Sequence, residues 1–454
     1  MIGVIKTLLQ KAGIDGAIGY SVLSRVLQAC GGVISILFIS RYLNKIEQGY
    51  YYTFGSLIAI QIFFELGFTQ VITQFVAHEA AQLKWDNNSF FGSENTTSRL
   101  SSLLHFSIKW FTIMAILLGI VLIISGYIFF DIFQHDTANV NWHAPFLILS
   151  VATAGSLLST PILAFLEGLG KVKDVAVIRF FQQAGYLTLL FSFFIFDLKL
   201  FAAPLAQLIN FILPLTVVSL SKNYHLLKQI FYKKGNAIIN YRTEIFPYQF
   251  RIAISWMSGF FTFQLFNPVL FATDGPIVAG QMGMTMSVLN GIMATSYAWF
   301  NTKTPLFSGL IANRQYNELD IVFKQTMKQA SFICFSALLF FIISIGILKY
   351  FNIPIVDRFL HLPHLIVVCT ATLGNQISYG MAIYLRCHKQ EPLMGQAVLI
   401  GLLMVISIIV LGKMFGVNGI TVAYCFLTTI VGVSWTYRTF QSKRKLWHKI
   451  PVCL

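Results

Sequence analysis

Charged residues are scarce in this chain. Asp, Glu, Lys and Arg together make up 11% of its 454 residues, whereas 56% are apolar. Soluble domains carry about 25% charged residues, so the composition excludes a large soluble enzyme and indicates an integral membrane protein. Acidic residues are fewer than basic residues, 17 against 32, so the net charge is +15. In a chain this apolar, we interpret the positive charge as marking loops that face the cytoplasm, and we expect no nucleic-acid partner.

The residues that build metal, cofactor and disulfide sites are also few. The six cysteines show no close pairing and fall in or beside apolar segments, which favours buried thiols over a disulfide framework. No cluster of His, Cys and carboxylates has the spacing of a zinc site, and no Gly-rich phosphate loop is present. We therefore predict no catalytic residues, no metal and no cofactor.

Long apolar runs dominate what remains. A membrane-spanning helix needs about 20 apolar residues, and twelve segments meet this length. They lie near residues 17–43, 48–77, 104–130, 144–166, 175–196, 200–220, 246–271, 277–301, 330–350, 364–386, 393–413 and 417–437. The predicted fold is an all-α polytopic membrane protein with twelve transmembrane helices.

The spacing of the segments divides the chain into two similar halves. We predict an N-terminal six-helix lobe (1–221), a basic cytoplasmic linker (222–244), a C-terminal six-helix lobe (245–438) and a basic cytoplasmic tail (439–454). Such repeats are common in transporters and predict pseudo-symmetric lobes. Aligning residue 49 with residue 280 gives three identities in thirty positions, one of them Gly49 with Gly280. This is chance level, so the repeat is inferred from spacing alone.

The distribution of basic residues predicts the orientation. With both termini in the cytoplasm, 25 of the 32 Lys and Arg residues lie in inner loops and tails, and six lie in outer turns. Basic residues retain loops on the cytoplasmic side. We therefore expect a multi-pass protein of a bacterial inner membrane with both ends inside the cell.

Arg25 and Glu65 are the charged residues inside the first two spans. A charge at this depth costs roughly 2.5–3.5 kcal/mol on insertion scales, so each needs a partner or a function. The two lie at similar depths on antiparallel neighbours. One interpretation is a structural ion pair, and another is that Arg25 binds an anion in a water-filled cavity while Glu65 orients it. A third is that Arg25 extends towards the cytoplasm.

Arg251 and Lys303 lie near the cytoplasmic side of the second half. Arg251 is one turn inside the seventh span, and Lys303 is just past the cytoplasmic end of the eighth. If the halves face each other across a cleft, Arg25, Arg251 and Lys303 form a cationic throat suited to phosphate oxygens. The alternative is that both simply follow the preference for basic residues at cytoplasmic helix ends.

Prolines within spans predict kinks or unwound turns. Such breaks are tolerated at membrane depth only where protein or a water-filled cavity satisfies the backbone. The prolines concerned are Pro161, Pro204, Pro214, Pro247, Pro268 and Pro305.

Several short motifs resemble bacterial polysaccharide flippases, the Wzx-type O-antigen transporters of the multidrug/oligosaccharidyl-lipid/polysaccharide exporter superfamily. The motifs are Arg41-Tyr42-Leu43, Gly49-Tyr50, Glu65-Leu66-Gly67-Phe68, Glu167-Gly168 with Lys171, Tyr384-Leu385-Arg386 before Lys389, and Gly416-Val417-Asn418-Gly419-Ile420. By layout the likeness covers nearly the whole chain. Among the candidate site residues, only Glu65 matches a family motif, at an acidic position where Asp is more usual.

The resemblance implies a MATE-like fold, a V-shaped pair of six-helix lobes with a central cationic cavity. It also implies a flippase, and not an enzyme, that moves an undecaprenyl-pyrophosphate-linked oligosaccharide from the cytoplasmic to the periplasmic leaflet by alternating access. The substrate and membrane lipids are the expected partners, and a polysaccharide polymerase and a chain-length regulator are candidate partners. Coupling to a proton, to sodium or to the membrane potential stays open.

Two alternative functions stay open. A multidrug or cation antiporter of the same fold needs acidic residues in its cleft, whereas the first span offers Arg25. A membrane glycan polymerase or ligase needs a sizeable periplasmic loop, whereas the predicted outer turns are short.

Overall fold

The structure is a computed structural model that describes residues 16–81, 83–86, 89–91, 93–133, 140–233, 240–241, 245–388 and 390–448. Within these ranges, some side chains near residues 16–29, 84–91 and 247–256 are not described, those of Arg25 and Arg251 among them. The description covers nearly all of the predicted spans.

The described residues are almost entirely helical. The helices are α1 (Gly16–Tyr42), α2 (Lys45–Ile58), α3 (Ile62–Glu65), α4 (Phe68–Ala80), α5 (Glu94–Phe133), α6 (His143–Gly168), α7 (Val172–Ile195), α8 (Ala202–Leu220), α9 (Lys222–Tyr232), α10 (Phe246–Phe263), α11 (Phe266–Thr273), α12 (Pro276–Ala312), α13 (Tyr316–Tyr350), α14 (Leu362–Cys387), α15 (Met394–Cys425) and α16 (Ser434–His448). Short 3-10 helices form Ala59–Gln61, Lys199–Phe201 and Pro354–Arg358, and Phe426–Val433 is π-helical. Strands β1 (Lys84–Asp86) and β2 (Ser89–Phe91) form a small antiparallel hairpin.

The predicted all-α membrane fold is confirmed. Nine helical stretches of the described ranges are long and apolar enough to cross a membrane, and the last of these, Met394–His448, contains two predicted spans. Gly416, with φ of +55°, separates those two spans. The first and seventh predicted spans are helical as well, so each of the twelve predicted segments coincides with helix.

Two spans predicted as continuous helices are interrupted. The second is broken between α3 and α4, where Leu66 and Gly67 both adopt left-handed conformations. The seventh is broken between α10 and α11. Helices α6, α8 and α12 instead continue through Pro161, Pro214 and Pro305. These three prolines therefore do not unwind the helices, and the kinks predicted at them stay a prediction.

The chain divides into two compact units. The first comprises Met1–Leu43 and Leu57–Met257, and the second comprises Asn44–Ser56 and Ser258–Leu454.

In the first unit, α7 packs on α1 and α8, and α6 packs on α4, α5 and α8. Its core is rich in aromatic rings, with Phe68, Phe111 and Phe165 fully buried. Helix α9 covers the core through Leu226 and Ile230, so the predicted linker begins with an ordered helix. The predicted lobe boundaries stay a prediction.

In the second unit, α12 and α14 form the centre and contact α13, α15 and the π-helical segment. Helix α2 belongs to this unit and begins with a capping box. Asn44 Oδ1 accepts hydrogen bonds from the amides of Ile46 and Glu47, and Glu47 Oε2 accepts one from the Asn44 amide. These bonds satisfy amides that lack helical partners at a helix start. The short turn predicted between the first two spans is thus an N-terminal cap.

Candidate functional site: the interrupted second span and the exposed face of helix α12

The predicted site residues fall on three different helices and one helix end. Arg25 lies in α1 and Arg251 in α10, but their side chains lie outside the described part of the structure. The ion pair between Arg25 and Glu65 and the cationic throat therefore stay predictions. Glu65 lies in the first unit and Lys303 in the second, and the side chains of both are described.

Glu65 ends helix α3, directly before the break in the second span. Leu66 has φ 50° and ψ 29°, and Gly67 has φ 64° and ψ 12°. A left-handed conformation costs about 1–2 kcal/mol for a residue with a Cβ and little for glycine. The sequence Glu-Leu-Gly thus interrupts the helix within a membrane span, and a new helix begins at Phe68.

The new helix, α4, is held firmly in the first unit. Phe68 is fully buried and stacks on Phe111, with ring centroids 5.8 Å apart. Its edge contacts Trp110 and Tyr241, at 6.2 and 6.1 Å. Aromatic pairs of this kind contribute about 0.5–1.5 kcal/mol beyond their area burial. Phe68, the first residue of α4 after the break, therefore anchors this helix to the aromatic core of the first unit.

Tyr241 closes this aromatic cluster from outside the spans. Its hydroxyl donates to Gln249 Oε1 at 2.6 Å. Burial raises the pKa of Tyr241, so the phenol remains a neutral donor at physiological pH.

Hydrogen bonds fix the side chains of α4 that follow the break. Thr69 Oγ1 donates to Glu65 Oε1 at 2.5 Å. One turn later, Thr73 Oγ1 lies 3.1 Å from the Thr69 carbonyl and 3.2 Å from the Ala164 carbonyl of α6. At Gly168 of α6 a Cβ would come within 2.8 Å of the Thr73 carbonyl, so α4 and α6 approach closely. The Glu65 carboxylate is thus bound to a well-packed helix start.

The arrangement favours an acidic side chain at this point. The half-buried Glu65 carboxylate lies beside the N-terminus of α4, where the helix dipole stabilises a negative charge by about 0.3–1 kcal/mol. Among the described side chains, its second oxygen, Oε2, has no hydrogen-bond or ion-pair partner, and it can accept from a cation or from a hydroxyl group. Glu65 can therefore bind a positively charged or hydroxyl-bearing ligand, or a partner side chain.

Lys303 is exposed on α12, and the helix continues to Ala312, nine residues further on, or about 13 Å at 1.5 Å per residue. This continuation of the helix was not predicted, because polar residues follow Asn301 directly in the sequence. The location of Lys303 just past the cytoplasmic end of the eighth span stays a prediction. Among the described residues Lys303 makes no ion pair, and its ammonium group is available to a ligand.

A pair of stacked tyrosines involves the same helix, before Lys303. The rings of Tyr297 of α12 and Tyr379 of α14 are 3.7 Å apart and inclined by 18°. The Tyr379 hydroxyl donates to Asn301 Oδ1 at 3.0 Å, and Asn301 is exposed, four residues after Tyr297 and on the same side of α12. Lys303 follows Asn301 by two residues and therefore does not share this side of the helix. Aromatic faces with a few placed polar groups are typical of small-molecule sites. We name Tyr297, Asn301 and Tyr379 the α12 face.

Sequence reasoning identified Lys303 but missed the α12 face. Tyr297 and Asn301 precede Lys303 by six and two residues, and both could have been found in the sequence as polar residues in an apolar run. Tyr379 comes from a distant span. Within the described ranges, no group of three or more His, Cys, Asp or Glu side chains is placed to hold a metal ion. The chemistry available here is binding through charge, hydrogen bonds and aromatic surface.

Comparisons with known proteins identify the fold. No protein-family model matches the sequence, and no curated protein matches it. Three-dimensional similarity is extensive. An inward-facing structure of a multidrug resistance MATE family transporter of the MOP superfamily matches with a TM-score of 0.57 and 13% identity over 91% of this chain and 99% of the other. An outward-facing structure of such a transporter matches with a TM-score of 0.53 and 13% identity, over 95% and 96%.

A third solved structure comes from Pyrococcus furiosus. It is a MOP superfamily transporter whose binding pocket is described as having reverse polarity, which suggests a different function for it, and it matches with a TM-score of 0.56 and 13% identity over 95% of this chain and 96% of the other. At this identity the likeness establishes architecture. This chain is a multi-pass membrane protein with the fold of the MATE family transporters of the MOP superfamily.

Proposed function

We propose that this protein is a flippase for a polyprenyl-pyrophosphate-linked oligosaccharide, moving it from the cytoplasmic to the periplasmic leaflet of a bacterial inner membrane. The observation that carries the proposal is the chemistry of α12: the exposed Lys303 has no ion pair among the described residues, and the α12 face combines a stacked tyrosine pair with Asn301. An ammonium group suits a phosphate oxygen, and tyrosine and asparagine suit sugar hydroxyls and ring faces. The two chemistries together match a phosphorylated glycan carrier.

Basic residues within the helices favour an anionic substrate. Arg25 and Arg251 both lie in helices. One transporter with the same fold is described as having a binding pocket of reverse polarity, and we take an anionic cargo to be compatible with this architecture. Inward-facing and outward-facing structures of transporters with this fold supply the pair of states through which alternating access would proceed.

Binding measurements on the purified full chain test the proposal. Undecaprenyl pyrophosphate is titrated into wild type and into the Lys303→Gln variant, with Lys328→Gln as the control. Lys328 is an exposed lysine of α13 in the same unit. We expect Lys303→Gln to weaken binding about tenfold or more, since a hydrogen bond to a charged group contributes about 1.5–3 kcal/mol. The control should bind like wild type.

A second arm tests the predicted cations of the first and seventh spans. Arg25→Ala and Arg251→Ala are tested for loss of surface polysaccharide in a bacterium that depends on this chain. Each should abolish export at normal protein levels. Normal polysaccharide output by Arg25→Ala at normal expression would contradict the anionic-substrate proposal.

The multidrug alternative has one observation in its favour. Glu65 places a half-buried carboxylate at a break in a span, and its Oε2 has no partner among the described side chains; a carboxylate suits a cationic drug. If rhodamine 6G binds with Glu65-dependent affinity while undecaprenyl pyrophosphate does not bind, the cation exporter replaces the flippase.

A further inference from the structure

The outer face of the last helix lines a cavity of about 680 Å³. Its lining residues form two adjoining rows at four-residue spacing, which places them on one side of the helix. Ile430 and Val431 lie at one end, Trp435 lies in the middle, and Arg438 and Lys443 lie towards the other end. We name these five residues the outer groove.

The opposite side of this helix is firmly attached to the second unit. Gln396 of α15 donates to the Gly432 carbonyl at 2.9 Å and to Thr436 Oγ1 at 2.8 Å. Further along, both carboxylate oxygens of Asp320 accept hydrogen bonds from Arg444 Nε at 3.0 Å. These contacts fix the rotation of the helix, so the outer groove is held facing away from the core.

A π-helical segment shapes the apolar end of the outer groove. Phe426–Val433 is π-helical, a conformation that is rare and often occurs at functional sites. It widens the helix beside Ile430 and Val431. Ile430 is 59% exposed, so an apolar side chain remains uncovered by protein there.

The basic end of the outer groove is electrostatically unsatisfied. Arg444 on the inner side is paired with Asp320, whereas Arg438 and Lys443 have no ion pair among the described residues. Arg438 is exposed, and Lys443 is half-buried. Two cations on one face without a carboxylate attract an anion.

The order of these side chains along the helix matches the order of groups in a phospholipid. From Ile430 to Lys443 the helix rises about 20 Å, close to the thickness of one leaflet with its headgroups. Apolar residues come first, Trp435 follows at the level where tryptophan prefers the membrane interface, and the two cations come last. We propose that the outer groove binds one anionic phospholipid, with its phosphate at Arg438 and Lys443. This site is independent of the transported substrate.

Native mass spectrometry of the delipidated full chain tests the site. The chain is titrated with phosphatidylglycerol and, separately, with phosphatidylcholine of the same acyl chains. We expect wild type to bind one phosphatidylglycerol in preference to phosphatidylcholine. The double variant Arg438→Gln, Lys443→Gln should lose about 30-fold in phosphatidylglycerol affinity, which corresponds to about 2 kcal/mol for two basic residues near an anionic lipid.

Matched variants make the result specific. Lys324→Gln with Lys328→Gln removes the same charge from exposed positions of α13 in the same unit and should bind like wild type. Arg438→Lys with Lys443→Arg keeps the charge and should retain most of the affinity. Equal losses in the two Gln double variants, equal binding of both lipids, or complete displacement by inorganic phosphate would each overturn the proposal.

Discussion

Gly49 should be the most size-sensitive position of helix α2. A Cβ added there would lie 2.0 Å from the Pro276 carbonyl oxygen and 2.6 Å from its carbon. Because the obstacle is backbone, side-chain rotation does not relieve it, and α2 must move away from α12. Glycine-mediated approach of helices is common in membrane proteins. We therefore expect Gly49→Ala to destabilise the second unit.

The magnitude follows from three contributions. Overpacking costs about 1–3 kcal/mol. Separation of the helices also threatens the bonds from Gln48 Nε2 to the Gly280 carbonyl (2.9 Å) and the Arg358 carbonyl (3.1 Å). Gln48 is 1% exposed, and loss of its partners costs about 1–3 kcal/mol. Replacing glycine by alanine in a helix recovers about 1 kcal/mol, so the net loss is about 1–5 kcal/mol.

Gly55 on the same helix is the matched control. An added Cβ meets no described atom within 4 Å at this position, so Gly55→Ala should leave stability unchanged or raise it by up to about 1 kcal/mol. The assay is thermal unfolding of the purified full chain in one detergent, followed by tryptophan fluorescence. Equal midpoints for the two variants, or a higher midpoint for Gly49→Ala, would refute the reasoning about close backbone contact.

Two further predictions concern the end of the second unit. Asp320→Asn should lower stability by about 1–3 kcal/mol because the Arg444 guanidinium loses its carboxylate, whereas Glu391→Gln, which breaks an exposed pair, should cost at most about 1 kcal/mol. His388 stacks on Trp447 at 4.3 Å, and burial lowers its pKa. The folded protein therefore favours the neutral ring, and stability should fall as the pH drops below the ordinary value of about 6.5. His388→Gln should reduce this fall.

Both predictions are checked by measuring thermal unfolding midpoints. For wild type and His388→Gln the midpoints are measured from pH 5 to pH 8. Similar losses in Asp320→Asn and Glu391→Gln would mean that the Arg444 pair is no stronger than a surface pair. An unchanged pH profile in His388→Gln would show that other groups govern the acid response.

The number and type of spans were predictable because a bilayer imposes length and apolarity directly on the sequence. The helix breaks were not. Proline is the strongest local signal for a break, yet Pro161 and Pro305 lie within continuous helices, since neighbouring helices can satisfy the freed backbone groups. For the break after Glu65, the only local signal in the sequence is one glycine, Gly67.

Contacts between distant segments could not be predicted from the sequence either. Gly49 and Gly280 aligned when one half of the sequence was compared with the other, at chance level. In the structure a Cβ on Gly280 would lie 2.9 Å from the Gly49 amide nitrogen. A contact between two residues does not test whether they are equivalent positions of a repeat, so the repeat stays a prediction.

The position of Glu65 depends on the residue three places after it. Leu66 in a left-handed conformation costs about 1–2 kcal/mol, and the helix restart leaves amide groups without helical partners. Full burial of Phe68 contributes about 1.5–3 kcal/mol, and its stack with Phe111 adds to this, so the anchor offsets the strain of the break. Any change that loosens Phe68 should therefore let the second span straighten and turn the Glu65 carboxylate away from Thr69. The aromatic core of the first unit thus determines where the acidic group of the interrupted span is held.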